Sequence, residues 1–164
     1  MNRTFLKRLP TALLLVLLVS CHPEGCYGPK AFGYNTKGVT VSNLFGIYTF
    51  DSGNGAVLDA KGFTNHSGYV ELKSDMTFVF SEMPCIVSFP KKGVYSSTTG
   101  RWKIIPHNAI WEIEFYDGVG LNSICGYYVL DLPILGESPP HGIELAINHN
   151  EGYYIRLQKS QNRR

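Results

Sequence analysis

Gly100-Arg-Trp-Lys-Ile-Ile-Pro-His-Asn-Ala-Ile-Trp-Glu-Ile-Glu-Phe115 is the stretch that decides how the chain is read. Trp102 and Ile104 alternate with Arg101 and Lys103. Beyond a Pro106-His107-Asn108 turn, Trp111, Ile113 and Phe115 alternate with Glu112 and Glu114. Alternation of period two sets apolar side chains on one face of an extended strand and charged ones on the other. Two such strands joined by a short turn predict an antiparallel hairpin with one dry and one wet face. On the wet face Arg101 and Lys103 are placed to pair with Glu112 and Glu114. Exposed ion pairs of this kind are worth about 0–1 kcal/mol each, so they favour the register more than they stabilise the fold.

The same signal recurs on both sides of this hairpin. Tyr48 and Phe50 share a face opposite Ile47 and Thr49, and Gly53-Asn54-Gly55 then breaks the chain. Val70 and Leu72 lead into a turn over Lys73–Met76, after which Phe78 and Phe80 alternate with Thr77, Val79 and Ser81. Pro84–Lys92, with two prolines, reads as an irregular excursion, and 126–135 is apolar on both faces. After Ser138-Pro139-Pro140, Ile143, Leu145 and Ile147 alternate with Glu144 and Asn148. Tyr153, Ile155 and Leu157 then alternate with Arg156 and Gln158. No sustained helical period or internal repeat follows residue 20. About eight short strands punctuated by Gly, Pro and Asn predict an all-β domain. The expected architecture is a small antiparallel up-and-down β-barrel, because closure removes exposed sheet edges; a β-sandwich is the alternative. Tyr48, Phe78, Phe80, Trp102 and Trp111 are expected to converge inside.

The N-terminus carries a different pattern. Arg3, Lys7 and Arg8 precede a charge-free apolar run, Ala12–Val19, the layout of a secretory signal. The run falls well short of the roughly 20 residues that a membrane-spanning helix needs. Leu18-Val19-Ser20-Cys21 closes it and resembles the lipobox of bacterial lipoproteins. The resemblance implies a diacylglyceryl thioether on Cys21, cleavage before that residue and acylation of the new amine with a palmitate-like chain. Several acyl chains hold a protein on a membrane far more firmly than one. His22 follows where an Asp resembles an inner-membrane retention signal, which leans toward the outer membrane in a diderm cell. The alternative is an ordinary signal peptide, with Cys21 merely one of four disulfide-forming cysteines. The predicted organisation is a signal peptide over 1–20, a lipidated Cys21 with a flexible tether over 21–43, a β-barrel domain over 44–159 and a disordered tail over 160–164. Within the tether, Val39 and Val41 alternate with polar neighbours and allow one short strand.

Loss of residues 1–20 lowers the 15 basic residues to 12, against 13 acidic ones. The mature chain is therefore close to neutral, and no basic patch points to nucleic acid. If Cys21 carries lipid, Cys26, Cys85 and Cys125 remain in an oxidising compartment. Cys85 and Cys125 are the preferred disulfide, since both lie within the expected domain, although spacing alone cannot fix connectivity.

Several pieces of the domain together, Gly46-Ile-Tyr48, Leu72 with Asp75 and Thr77-Phe78, Gly100–Ile104, Trp111–Phe115, Pro139-Pro140 and Tyr154–Leu157, resemble a group of small secreted or lipid-anchored bacterial β-domains to which no activity is assigned. Met76 departs from the Gly that usually follows the Asp of that hairpin, which leaves the turn type open. The domain is also similar to lipocalin-like barrels, in which a Gly-x-aromatic on the first strand packs under an Arg from the last. That likeness implies such a contact between Gly46-Ile-Tyr48 and Arg156.

Candidate chemistry is sparse. His66, His107, His141 and His149 each sit beside turn residues, where scattered histidines are usually solvated, and His149 with Asn148, Asn150 and Glu151 is the densest polar cluster. Glu112 and Glu114 are better explained by charge pairing than as a glycosidase pair. The Asn65-His66-Ser67 triplet is formally a glycosylation acceptor. There is no nucleophile elbow, zincin motif or phosphate loop, so neither catalysis, a cofactor nor a metal is expected. The sequence leads to a membrane-anchored lipoprotein of the cell envelope with a structural or interaction role. Its expected partners are the membrane, through Cys21, and an envelope protein met by loops such as 53–67, 84–95 and 116–123. The alternative is a barrel that holds a small apolar ligand.

Overall fold

The computed structural model describes residues 33–85, 93–118, 129–148 and 153–161. Eight strands run in sequence order: β1 (Gly46–Phe50), β2 (Tyr69–Leu72), β3 (Thr77–Pro84), β4 (Tyr95–His107), β5 (Ile110–Tyr116), β6 (Leu130–Leu135), β7 (Gly142–Asn148) and β8 (Tyr153–Lys159). Each pairs antiparallel with the next, and β8 returns to β1 through Tyr48↔Lys159, Thr49↔Gln158 and Phe50↔Leu157. The result is a closed up-and-down barrel, not a sandwich.

The alternating residues deliver the core. Tyr48, Val70, Phe78, Trp102, Ile113, Phe115, Ile134, Ile143, Ile155 and Leu157 are fully buried. Burial of each large apolar side chain contributes roughly 1.5–3 kcal/mol relative to exposure. Phe78, Phe80 and Phe115 form a ring triad with centroids 4.6–5.0 Å apart, in tilted and edge-to-face arrangements that aromatic quadrupoles favour. The β4–β5 hairpin pairs from Arg101↔Tyr116 to His107↔Ile110. Its Lys103 bonds Glu114 at 2.6 Å. Glu112, however, is nearly buried and meets His107 Nδ1, at the end of β4, at 2.9 Å instead of Arg101 or Lys103.

Trp111 corrects the expected core. It is only half-buried and packs against the core cluster from the barrel mouth, where Gly38 lies against its indole. Periodicity fixes the face of a strand but not how far along the barrel a residue sits. The β2–β3 turn settles the question at Met76, which takes a positive φ of 65°, the backbone state that Gly adopts more readily. Asp75 braces the turn by accepting from Thr77 N and Oγ1 at 3.0 and 2.6 Å.

Topology sorts the connections. The short β2–β3, β4–β5 and β6–β7 turns share one end with residues 33–45, and the β1–β2, β3–β4, β5–β6 and β7–β8 connections leave the other. In the β1–β2 connection a six-residue helix, α1 (Gly55–Ala60), is too short to show a helical period in the sequence. It brings Leu58 over the far end of the barrel, and Phe63 follows it; both are fully buried, and Phe63 meets Tyr95 edge-on at 5.7 Å.

Candidate functional site

Residues 33–43 correct the expected tether. Tyr34 forms a bridge with Leu135 of β6, and Asn35 donates its N–H to Ile134 O at 2.8 Å while accepting from Trp111 N at 3.0 Å. The strap thus wedges between the ends of β5 and β6. Asn35 has no exposed surface, yet both its amide nitrogen and its amide oxygen find partners. Nδ2 donates to Gly136 O at 2.7 Å, and Oδ1 accepts from the N–H groups of Lys37 and Gly38 at 3.1 and 3.0 Å. A buried amide is tolerated only when its donors and acceptor find partners in this way. Asn suits the position because its short side chain closes a local turn onto the following backbone. The short strand expected near Val39 and Val41 is instead a 3₁₀ turn, Val41–Asn43. It delivers Leu44, fully buried, to the same end of the barrel, and Tyr48 Oη donates to Leu44 O at 2.8 Å.

A second group lies beside the strap. Glu144 on the outer face of β7 is 2% exposed, although alternation predicts a wet position. Tyr34 Oη donates to Glu144 Oε1 at 2.6 Å, and Arg156 Nε of β8 donates to Glu144 Oε2 at 3.4 Å. Burial, then the hydrogen bond to Glu144 and its negative charge, push the Tyr34 phenol well above the ordinary tyrosine range, so it remains a donor at any physiological pH. Arg156 therefore faces outward and does not cover Gly46. That place belongs to Lys159, whose Cε would lie 2.9 Å from a Cβ on Gly46 and whose Nζ donates to Asn43 O at 2.9 Å. Burial holds its ammonium below the usual lysine range.

An open, polar cleft of about 700 Å³ lies outside the barrel wall, where β1, β8 and the β6–β7 turn meet. Asp51, Arg156, Gln158 and the nearly buried His141 line it. His141 Nδ1 and Gly136 O are 3.0 Å apart, and Gln158 Nε2 donates to Asp51 Oδ2 at 2.7 Å.

The remaining residues singled out from the sequence do not converge. His66 Nε2 lies 3.1 Å from Asp59 Oδ1 and 3.0 Å from Phe63 O, which ties down the end of α1. Asn65 and Ser67 donate to Glu82 Oε2 at 2.8 and 3.0 Å, and these bonds hold the Glu82 carboxyl below the ordinary glutamate range. His107 belongs with Glu112 at the opposite end. Among the described residues no group of three or more His, Cys, Asp or Glu is arranged to hold a metal, and no helix is long and apolar enough to cross a membrane. Cys85 is disulfide-bonded, and its expected partner Cys125, like Cys21, Cys26 and His149, lies outside the described residues.

The sequence pattern does not mark Tyr34 or Asn35, and it marks Glu144 only as an outer-face residue of its strand. The one available signal was a Gly-Tyr-Asn-Thr-Lys-Gly run whose Asn and Gly are turn formers. No family model, curated protein or solved structure matches the chain.

Proposed function

We propose that the protein is a lipoprotein of the bacterial cell envelope, anchored through acylated Cys21, whose barrel acts as a rigid structural or interaction module and not as a carrier or an enzyme. The observation that favours a module over a carrier is the filled lumen. Tyr48, Phe78, Trp102 and Phe115 are fully buried and Phe80 is nearly so; the three Phe rings pack on one another, Trp102 meets Phe45 edge-on at 6.1 Å, and Tyr48 Oη donates to Leu44 O. Barrels of this strand number are just wide enough to be filled by side chains or to hold one small ligand, and here the large aromatic set takes that space. Leu44 at one end and Leu58 with Phe63 at the other close the mouths through which a ligand would enter a lipocalin-like barrel.

The orientation suits a tethered module. Residues 33–45, the described residues that follow Cys21 in sequence, pack at the end with the short turns. The connections 51–68, 85–94, 117–129 and 149–152 leave the opposite end, where loops presented by a rigid scaffold most often meet partners. The anchor is tested by the intact mass of the mature N-terminal peptide together with fractionation of Cys21→Ala cells. The expected results are a triacylated Cys21 and release of the variant from membranes. An unmodified mature N-terminus, or an unchanged membrane fraction for Cys21→Ala, would refute the anchor.

A further inference from the structure

The barrel wall is not uniformly zipped. β4 and β5 pair along the whole length of β5, whereas β6 and β7 pair only through Ile134↔Ile143 and Leu135↔Gly142 among the described residues. Continuing that register would set Pro133 opposite Glu144 and Leu132 opposite Leu145. Successive residues of an antiparallel strand send their N–H and C=O to opposite neighbours. Ile134 directs its carbonyl to Asn35 on the β5 side, so Pro133 faces β7 at a position where proline has no N–H to give. From there toward the long-loop end the two strands share no ladder pair among the described residues.

The side chain of Tyr34, on the strap, reaches across the seam where the ladder stops. Gly33 O accepts from Gly136 N, and Asn35 N donates to Ile134 O, both at 2.8 Å. These bonds fix the strap to β6 and to the residue that follows it. From that footing Tyr34 reaches β7 through its 2.6 Å bond to Glu144, and Glu144 passes the link to β8 through Arg156. Thr36 Oγ1 donates to Glu137 Oε1 at 2.7 Å, and Lys37 Nζ lies 3.5 Å from Glu137 Oε2. These contacts tie the next residues of the strap to the β6–β7 turn. A hydrogen bond to a nearly buried carboxylate is among the stronger ones a side chain can make.

We infer that residues 33–37 are a clasp on the β6–β7 seam: the barrel wall opens first between β6 and β7, and Tyr34 bound to Glu144 holds it shut. Displacing the strap then exposes the apolar inner face of β6 and β7, Leu132, Ile134, Ile143 and Leu145, from the side of the barrel. The inference stands on the described contacts and does not depend on acylation of Cys21.

Hydrogen–deuterium exchange on the full mature chain tests it, comparing wild type with Tyr34→Phe, which removes one hydroxyl and keeps the ring. Opening of β6 and β7 should become about tenfold to a hundredfold more frequent, the equivalent of one lost hydrogen bond to a charged group. Peptides covering 130–135 and 142–148 should show it, while those of β2, β3 and β4 should not change. Glu144→Gln, which keeps an acceptor for Tyr34, should give a smaller and equally local effect. Equal acceleration in all strands, or no acceleration in β6 and β7, would overturn the clasp.

Discussion

The β4–β5 wall and the β6–β7 seam belong to one barrel and are held by different means. Across the wall, backbone pairs run without interruption from Arg101↔Tyr116 to His107↔Ile110, and side chains only decorate them. Across the seam, the ladder ends at Ile134↔Ile143, and beyond it the side-chain bond of Tyr34 to Glu144 links β7 to a strap whose Asn35 is fixed to β5 and β6. A wall built from backbone tolerates outer-face substitutions. A seam that depends on two side chains does not.

The largest expected effect separates two tryptophans of the wall. Trp102 is fully buried, whereas Trp111 is half-buried at the mouth under Gly38. Trp102→Ala should destabilise by about 3–5 kcal/mol in urea denaturation, and Trp111→Ala by roughly half as much. Equal losses would mean that both rings fill the lumen. Trp102 Nε1 is buried with no hydrogen-bond partner among the described residues, and an unsatisfied buried donor is costly. Trp102→Phe should accordingly lose far less than Trp102→Ala.

Next in size is the foot of the strap. Asn35→Ala strands Gly136 O and the N–H groups of Lys37 and Gly38, at a cost of about 2–3 kcal/mol. The loss should be accompanied by faster exchange in β6 at its junction with the strap. A change within about 0.5 kcal/mol would show the strap to be ornamental.

The smallest effect lies on the outer face where β5 meets β6. Burial, and then the charge of Glu114, push the Asp131 carboxyl above its ordinary range. The native state therefore binds a proton more readily than the unfolded chain, and ionised Asp131 opposes folding at neutral pH. Asp131→Asn should stabilise there by no more than about 0.5 kcal/mol, because the side chain is exposed. The gain should fade as pH falls through the raised folded value and vanish below the unfolded one. A stability difference independent of pH would contradict this assignment.

Much of the barrel was legible because half-buried antiparallel strands must alternate. The pairs Phe78 with Phe80 and Ile113 with Phe115, and the single turn residues between strands, announce themselves. What escaped detection lacks a period. The strap is held by the side chains of Tyr34 and Asn35 and by backbone bonds, so a Gly- and Asn-rich run that packs reads the same as one that does not. Alternation places Glu144 outside but says nothing of a strap that covers it. Arg156 and Lys159 lie three residues apart near the end of one strand, and only the geometry of Gly46, with its positive φ of 140°, decides which of them packs there. Pro133 was visible throughout, but its meaning depends on which neighbour its missing N–H would have faced.

The filled lumen is tested most directly by titrating the mature domain with cis-parinaric acid while following energy transfer from Trp102, with Trp111→Phe removing the second donor. The account predicts no saturable uptake and no quenching that a non-fluorescent fatty acid can reverse. Saturable one-to-one binding, displaced by fatty acid and weakened by Phe80→Ala, would show an adaptable cavity where the structure places packed rings.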